Sequence, residues 1–123
     1  MIHSAEPILF VQDPGRSRDF YRQVLACEPC LDVPGMVEFP LSGESRLGLM
    51  ARAGATRLLS LEVGHGAPAG ELYLYVDDPE AYLDRAVKAG GRIVSALSPR
   101  DWGDRAGYFF DPDGHLLAFA CRL

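Results

Sequence analysis

Two glutamates and a set of aromatic side chains are where this chain could do chemistry. Glu6 and Glu71 each stand just ahead of an apolar, alternating run, residues 7–11 and 72–76. Two carboxylates held together raise one another's pKa and can act as a general acid/base pair, and facing a cleft they can pair with a cation. The plainer reading puts both at strand entrances in water, since carboxylates are mostly exposed. Phe10, Tyr73, Tyr75 and Tyr108 supply flat apolar faces, and ordinary core packing is their first explanation. Trp102, the only tryptophan, sits in the polar stretch 99–105. It reads equally as a side chain packed on a sheet edge and as a lid that stacks on a flat ligand. Acidic groups beside aromatic faces attract flat cations.

The remaining reactive residues carry less. Cys27-Glu28-Pro29-Cys30 is a CxxC, but it follows a helix instead of opening one, and no second cysteine pair exists to complete a zinc site. His3 and His115 fall near a terminus and a turn; His65 lies in a glycine-rich connector that could reach a cleft. Asp111-Pro112-Asp113-Gly114 has the look of a calcium loop for four residues only, so a hairpin turn is expected there.

These residues need elements to hold them. Val11-Gln12-Asp13-Pro14 and Val76-Asp77-Asp78-Pro79 each end an apolar run, and their aspartates stand 65 residues apart. At that offset Glu6 matches Glu71, Leu9 matches Leu74 and Phe10 matches Tyr75. Asp before Pro reads as a helix start, the carboxylate capping free amides and the proline needing none. Helices are expected over about 14–26 and 79–89, the second stopped by Gly90-Gly91. Strands are expected at about 7–12, 28–33, 36–41 and 46–51, then 71–76, 92–96, 106–110 and 115–121. The order is βαβββ twice, an α+β fold with module 1 at about 1–54, a connector at about 55–70 and module 2 at about 71–123. Side chains alternate along a strand. One face therefore carries Glu6, Ile8 and Phe10, then Gly48 and Met50, then Glu71, Tyr73 and Tyr75, then Leu116, Ala118 and Ala120.

The bulk composition narrows the partners. A chain of 123 residues with 48 % hydrophobic and 24 % charged residues is one ordinary globular domain. A net charge of −5 disfavours nucleic acid and anionic lipid. The first apolar run is too short for a signal peptide or a membrane span. With three cysteines, an odd number, the expected location is the cytoplasm.

The opening strand with Asp13-Pro14, Phe20-Tyr21 and Val24-Leu25, and the closing Trp102-Gly103-Asp104-Arg105 with Phe110-Asp111-Pro112-Asp113-Gly114-His115, resemble the vicinal oxygen chelate superfamily of glyoxalases, bleomycin-resistance proteins and dioxygenases. The resemblance spans essentially the whole chain. It implies a curved, mixed sheet lining a cleft, and a homodimer. Metal-dependent relatives hold an ion through four cleft positions, which fall here on Glu6, on or near Gly48, on Glu71 and on Ala118. Glycine and alanine ligate nothing, so no metal cofactor is expected, and two carboxylates alone would hold a hard cation weakly.

The expected function is that of a bleomycin-resistance-like protein, sequestering a cationic or aromatic small molecule without changing it. The expected ligand-binding residues are Glu6, Ile8, Phe10, Gly48, Met50, Glu71, Tyr73, Tyr75, Trp102, Arg105 and Ala118. The alternative is a lyase, isomerase or dioxygenase of the same superfamily with a displaced third ligand such as His65, and with Arg46 or Arg105 contacting an anion. A regulatory module with a filled cleft is a third reading.

Overall fold

The structure, a computed structural model, describes residues 1–64 and 66–123; His65 lies outside the described residues. The chain runs β1 (Ile8–Val11), α1 (Pro14–Leu25), β2 (Leu31–Val33), β3 (Met36–Pro40), β4 (Arg46–Ala51), α2 (Arg52–Leu59), β5 (Leu72–Tyr75), α3 (Pro79–Lys88), β6 (Arg92–Pro99), β7 (Asp104–Phe110) and β8 (Leu116–Arg122). It forms two compact units, the first from Met1–Arg22 and Ala26–Gly64, the second from the rest of the described chain including Gln23–Leu25 at the end of α1.

The 65-residue repeat reappears as repeated topology. The first sheet has the order β1-β4-β3-β2 and the second β5-β8-β7-β6. β1 pairs in parallel with β4, and β5 with β8. Both Asp-Pro starts behave as their chemistry requires. Asp13 Oδ1 accepts from Gly15 N at 3.0 Å and Arg16 N at 3.2 Å, and Asp78 Oδ1 accepts from Ala81 N at 3.2 Å. At the far end of α3, Gly91 N donates to Ala86 O at 2.8 Å while Gly90 takes φ 105°, a conformation that favours glycine. The 111–114 segment is a turn: Asp111 Oδ1 accepts from Asp113 N and His115 N, both at 2.9 Å.

One face of each sheet is the core. In the first unit Val11, Val37, Phe39, Leu47 and Leu49 are buried with Phe20 and Tyr21 of α1, the Tyr21 and Phe39 rings lying 6.5 Å apart. In the second, Phe109, Leu117 and Phe119 are buried with Leu83 and Ala86 of α3, and the Phe109 and Phe119 rings stack at 5.5 Å. Burial of each such side chain stabilises by roughly 1.5–3 kcal/mol. Gly107 of β7 is pressed against this core. A Cβ there would strike Leu83 Cδ1 and come within 3.1 Å of Leu97 N and 3.2 Å of Leu97 Cα.

The structure departs from the sequence expectation in four places, the first being β2, which begins at Leu31 and not near 28. Residues 52–59, five of the eight assigned to a connector, form helix α2, with Ala55 buried. Strand β7 begins at Asp104 and not near 106, because Asp104 pairs with Arg122 at the end of β8. Strand β6 reaches Pro99 through register shifts near Ser95 and Ser98. Arg100 satisfies groups freed there, donating to Ser95 Oγ at 3.0 Å, Ala96 O at 2.8 Å and Ala106 O at 2.8 Å.

Candidate functional site

The open face of the second sheet is an aromatic panel fixed by one buried carboxylate. Register places Tyr73 and Tyr108 on either side of Ala118, and Tyr75 and Ala106 on either side of Ala120. Small residues in the middle strand let the large rings of the outer strands lean together. Tyr73 lies 5.3 Å from Tyr75 and 6.4 Å from Tyr108, both edge-on, and Ala118 beneath them is fully buried. Asp104, 1 % exposed, accepts the Tyr73 hydroxyl at 2.8 Å and the Tyr75 hydroxyl at 2.7 Å on the same oxygen, Oδ2. Trp102, at the rim and 55 % exposed, donates its indole N–H to Tyr73 Oη at 3.1 Å. Trp102 is thus tied to the sheet through Tyr73 while its ring is largely exposed to solvent.

The electrostatics follow from that hydrogen bonding. Donation from Tyr75, then from Tyr73, holds the Asp104 carboxyl below its ordinary range, with Arg122 and the Trp102 N–H adding to the effect against burial. The Tyr75 hydroxyl is pushed up chiefly by the bond to Asp104, the Tyr73 hydroxyl chiefly by burial. Burial also raises Tyr108, helped by the charge of Glu71 and opposed by Arg100, whose guanidinium lies 5.3 Å from the Tyr108 ring. Across the ordinary working range the panel is three neutral phenols around one fixed anion.

The first sheet has the same framework with different chemistry. Ile8 and Glu38 flank Gly48, as Tyr73 and Tyr108 flank Ala118. Ile8, Phe10, Gly48 and Met50 share the open face, as alternation requires. A Cβ on Gly48 would lie 2.9 Å from Glu6 Oε2, 2.9 Å from Met36 Cε and 3.1 Å from Ile8 Cγ1, so the missing side chain is the space the Glu6 carboxyl uses. There Glu6 hydrogen-bonds with Glu38, which raises its pKa; partial burial and the Glu38 charge add to this, and Arg46 opposes it. Arg46 Nη1 is 3.9 Å from Glu38 Oε1 and donates to Cys30 Sγ at 3.2 Å, and the Cys30 thiol donates to Glu38 O at 3.4 Å.

Gly48→Val is therefore expected to evict the Glu6 carboxyl and return its titration toward the ordinary carboxylate range. The overpacking should cost about 1–3 kcal/mol of stability. Carboxyl chemical shifts followed against pH would show this, and a Glu6 titration that stays raised in the variant would refute the pairing.

Glu6 and Glu71 each act on a neighbour within their own unit. Glu6 belongs to the first unit and pairs with Glu38; Glu71, exposed, belongs to the second and acts on Tyr108. Arg105 is corrected: it pairs with Cys121 and so projects to the face opposite Tyr73 and Tyr75. With β7 beginning at Asp104, alternation turns Asp104 toward the rings and Arg105 away. Sequence reasoning missed Glu38, Asp104 and Arg122. Glu38 was legible from alternation in Met36-Val37-Glu38-Phe39-Pro40; Asp104 was hidden in a segment that reads as a polar loop.

The residues do not fit a four-donor metal. Two of the four positions are Gly48 and the buried Ala118, and among the described residues no group of three or more His, Cys, Asp or Glu stands close enough to share an ion. Among the described residues, no helix is long and apolar enough to cross a membrane.

Two four-stranded mixed sheets of one order, each with a helix between its first and second strands, define a paired βαβββ protein. The model of the Glyoxalase/Bleomycin resistance protein/Dioxygenase superfamily matches residues 2–119, and the chain belongs to that superfamily. An uncharacterized protein of Mycobacterium bovis is 30 % identical over 118 residues, covering 89 % of this chain and 76 % of its own. The phenazine antibiotic resistance protein EhpR of Enterobacter agglomerans is 27 % identical over 115 residues, covering 89 % and 84 %. A glyoxalase-related enzyme from Fulvimarina pelagi matches with a TM-score of 0.87 at 21 % identity, covering 99 % of this chain and 89 % of its own. A lactoylglutathione lyase from Agrobacterium tumefaciens matches at 0.73 and 22 %, covering 94 % and 90 %. At such identities the solved structures speak for the fold alone.

Proposed function

We propose that this protein binds a planar aromatic small molecule against the tyrosine face of its second unit and holds it without chemical change or metal. The observation that carries this reading is the pair of hydroxyls locked on Asp104. Locking them fixes the rings before any ligand arrives, so little ordering entropy is lost on binding. Stacking on such rings is expected to contribute about 0.5–1.5 kcal/mol per pair beyond buried area. The likeness to a phenazine resistance protein supports the same direction. A small-molecule partner of this kind also suits a homodimer, for which the unpaired outer strands of both sheets offer edges; light scattering showing a stable monomer at micromolar concentration would count against that part.

Fluorescence tests the binding directly, because Trp102 is the only tryptophan and sits at the rim of the panel. Titration with phenazine is expected to quench Trp102 and to raise the melting temperature. If phenazine and other planar aromatics leave both unchanged, the reading is wrong. Elemental analysis of protein purified without chelator is expected to find well under one equivalent of any transition metal, and near-stoichiometric Zn, Ni, Fe or Mn would overturn the metal-free part.

The Glu6–Glu38 pair favours a second reading, an enzyme of the superfamily using a raised carboxyl as general acid. Turnover of a carbonyl or thiol substrate that is lost in Glu38→Gln and insensitive to Tyr75→Phe would move it ahead.

A further inference from the structure

Arg122 occupies a peculiar position on the tyrosine face. It stands at the end of β8, directly across from Asp104. Its guanidinium lies over the Tyr75 ring at 4.5 Å, and Nη1 lies 3.7 Å from Asp104 Oδ1. Asp104 is buried and, among the described residues, Oδ1 accepts no hydrogen bond, whereas the Arg122 side chain is 76 % exposed. The two groups are unequal: the anion is fixed and desolvated, while the cation is tethered by a flexible stem and mostly hydrated. At 3.7 Å the guanidinium neutralises the carboxylate without satisfying it. Beside them opens a groove of about 490 Å³ lined by Tyr75, Val76, Asp77, Cys121 and Arg122.

We infer that Arg122 is a tethered internal cation holding the seat of the ligand's own cationic group. A planar cation bearing an N–H would displace it, stack on Tyr75 and donate to Asp104 Oδ1, while the guanidinium swings into water. The ligand class is thereby narrowed to flat aromatics with a positively charged, hydrogen-bonding edge. The inference rests on the proposed function, since it presupposes that this face binds planar molecules.

Exposed cation–π contacts are weak enough to exchange but strong enough to compete. Removing the competitor should therefore tighten cation binding and leave neutral ligands nearly unaffected. In wild type one cation replaces another, so binding should depend little on salt. Without Arg122 the ligand would be the only counter-charge to Asp104, and a salt dependence should appear.

The test compares proflavine, a planar cation with amino donors, and phenazine, neutral and planar, on the full chain, with Arg122→Gln and Arg122→Ala beside wild type. Proflavine should bind both variants about two- to fivefold more tightly than wild type at low salt, with the gain shrinking at high salt. Phenazine should change by less than the proflavine gain. Equal or weaker proflavine binding in both variants, with phenazine still bound, overturns the role of Arg122 and leaves the proposed function standing. If none of the three proteins binds either dye, the proposed function itself fails.

Discussion

Asp104→Asn is expected to lower affinity for a planar ligand by about tenfold, the scale of one lost charge-assisted hydrogen bond. The substitution keeps the size of the side chain and removes its charge. One amide oxygen can still accept from Tyr73 or Tyr75, which now share Oδ2 at 2.8 and 2.7 Å, but a neutral acceptor binds both less firmly. The amide N–H groups would then face Arg122 Nη1, donor against donor, at the site where Oδ1 now faces it at 3.7 Å. The rings would lose their common anchor, and each would have to be ordered by the ligand. Trp102 fluorescence titration measures the loss, and a variant binding phenazine as tightly as wild type with an unchanged melting temperature would show that the panel needs no anchor.

The same variant separates two pH dependences of opposite sign. The Asp104 carboxyl is lowered in the folded protein, so its contribution to stability is present above the ordinary carboxylate range and is lost as the pH falls through the lowered value. The Glu6 carboxyl is raised, so its contribution is present below the ordinary range and is lost as the pH rises through the raised value. Asp104→Asn should remove the acid-side loss and leave the Glu6 component; Glu38→Gln should do the reverse. Melting temperatures across the acid range would resolve the two, and identical profiles in both variants would contradict the assignment.

Gly107→Ala is expected to destabilise the second unit by about 1–3 kcal/mol, the usual cost of overpacking a filled core. The glycine is not there for backbone freedom. It is there because β7 passes close to α3 and β6: the Leu83 side chain fills the space a Cβ would take, and the Leu97 backbone closes it at 3.1 Å. Leu83 can turn aside but the Leu97 amide cannot move without disturbing β6. Because Ala106 and Tyr108, on either side of Gly107, face the panel, the strain should also loosen ligand binding. Denaturant unfolding gives the stability change, and Gly107→Ala as stable as wild type would mean that β6 shifts freely.

The repeat, both helix starts, the strand alternation and the superfamily were all legible in the chain, because each is written in neighbouring residues. Asp13 and Asp78, each before a proline and a helical stripe, cap helices through local contacts, and period-two alternation places Tyr73 with Tyr75, and Ala118 with Ala120, before any strand is paired. Helix α2 was less so: Arg52–Leu59 has no side-chain cap at its start and only Ala55 buried, so its sequence looks like connector.

What tertiary structure alone decided is which of these faces meet which groups. Whether Glu6 faces another carboxylate was open in the sequence; Glu38 becomes its partner because β3 lies next to β4 and Gly48 leaves the gap between them. Asp104 was read as loop, since Trp102-Gly103-Asp104-Arg105 is polar and glycine-broken. Pairing with Arg122 made it the first residue of β7, two residues earlier than expected, and the extended strand sends Asp104 to the rings with Ala106 and Tyr108 and Arg105 to the other side. Register is a property of two strands distant in sequence, and no local pattern contains it. For that reason the chain announced the aromatic face while its buried anion and the arginine set against it emerged only once β7 and β8 were joined.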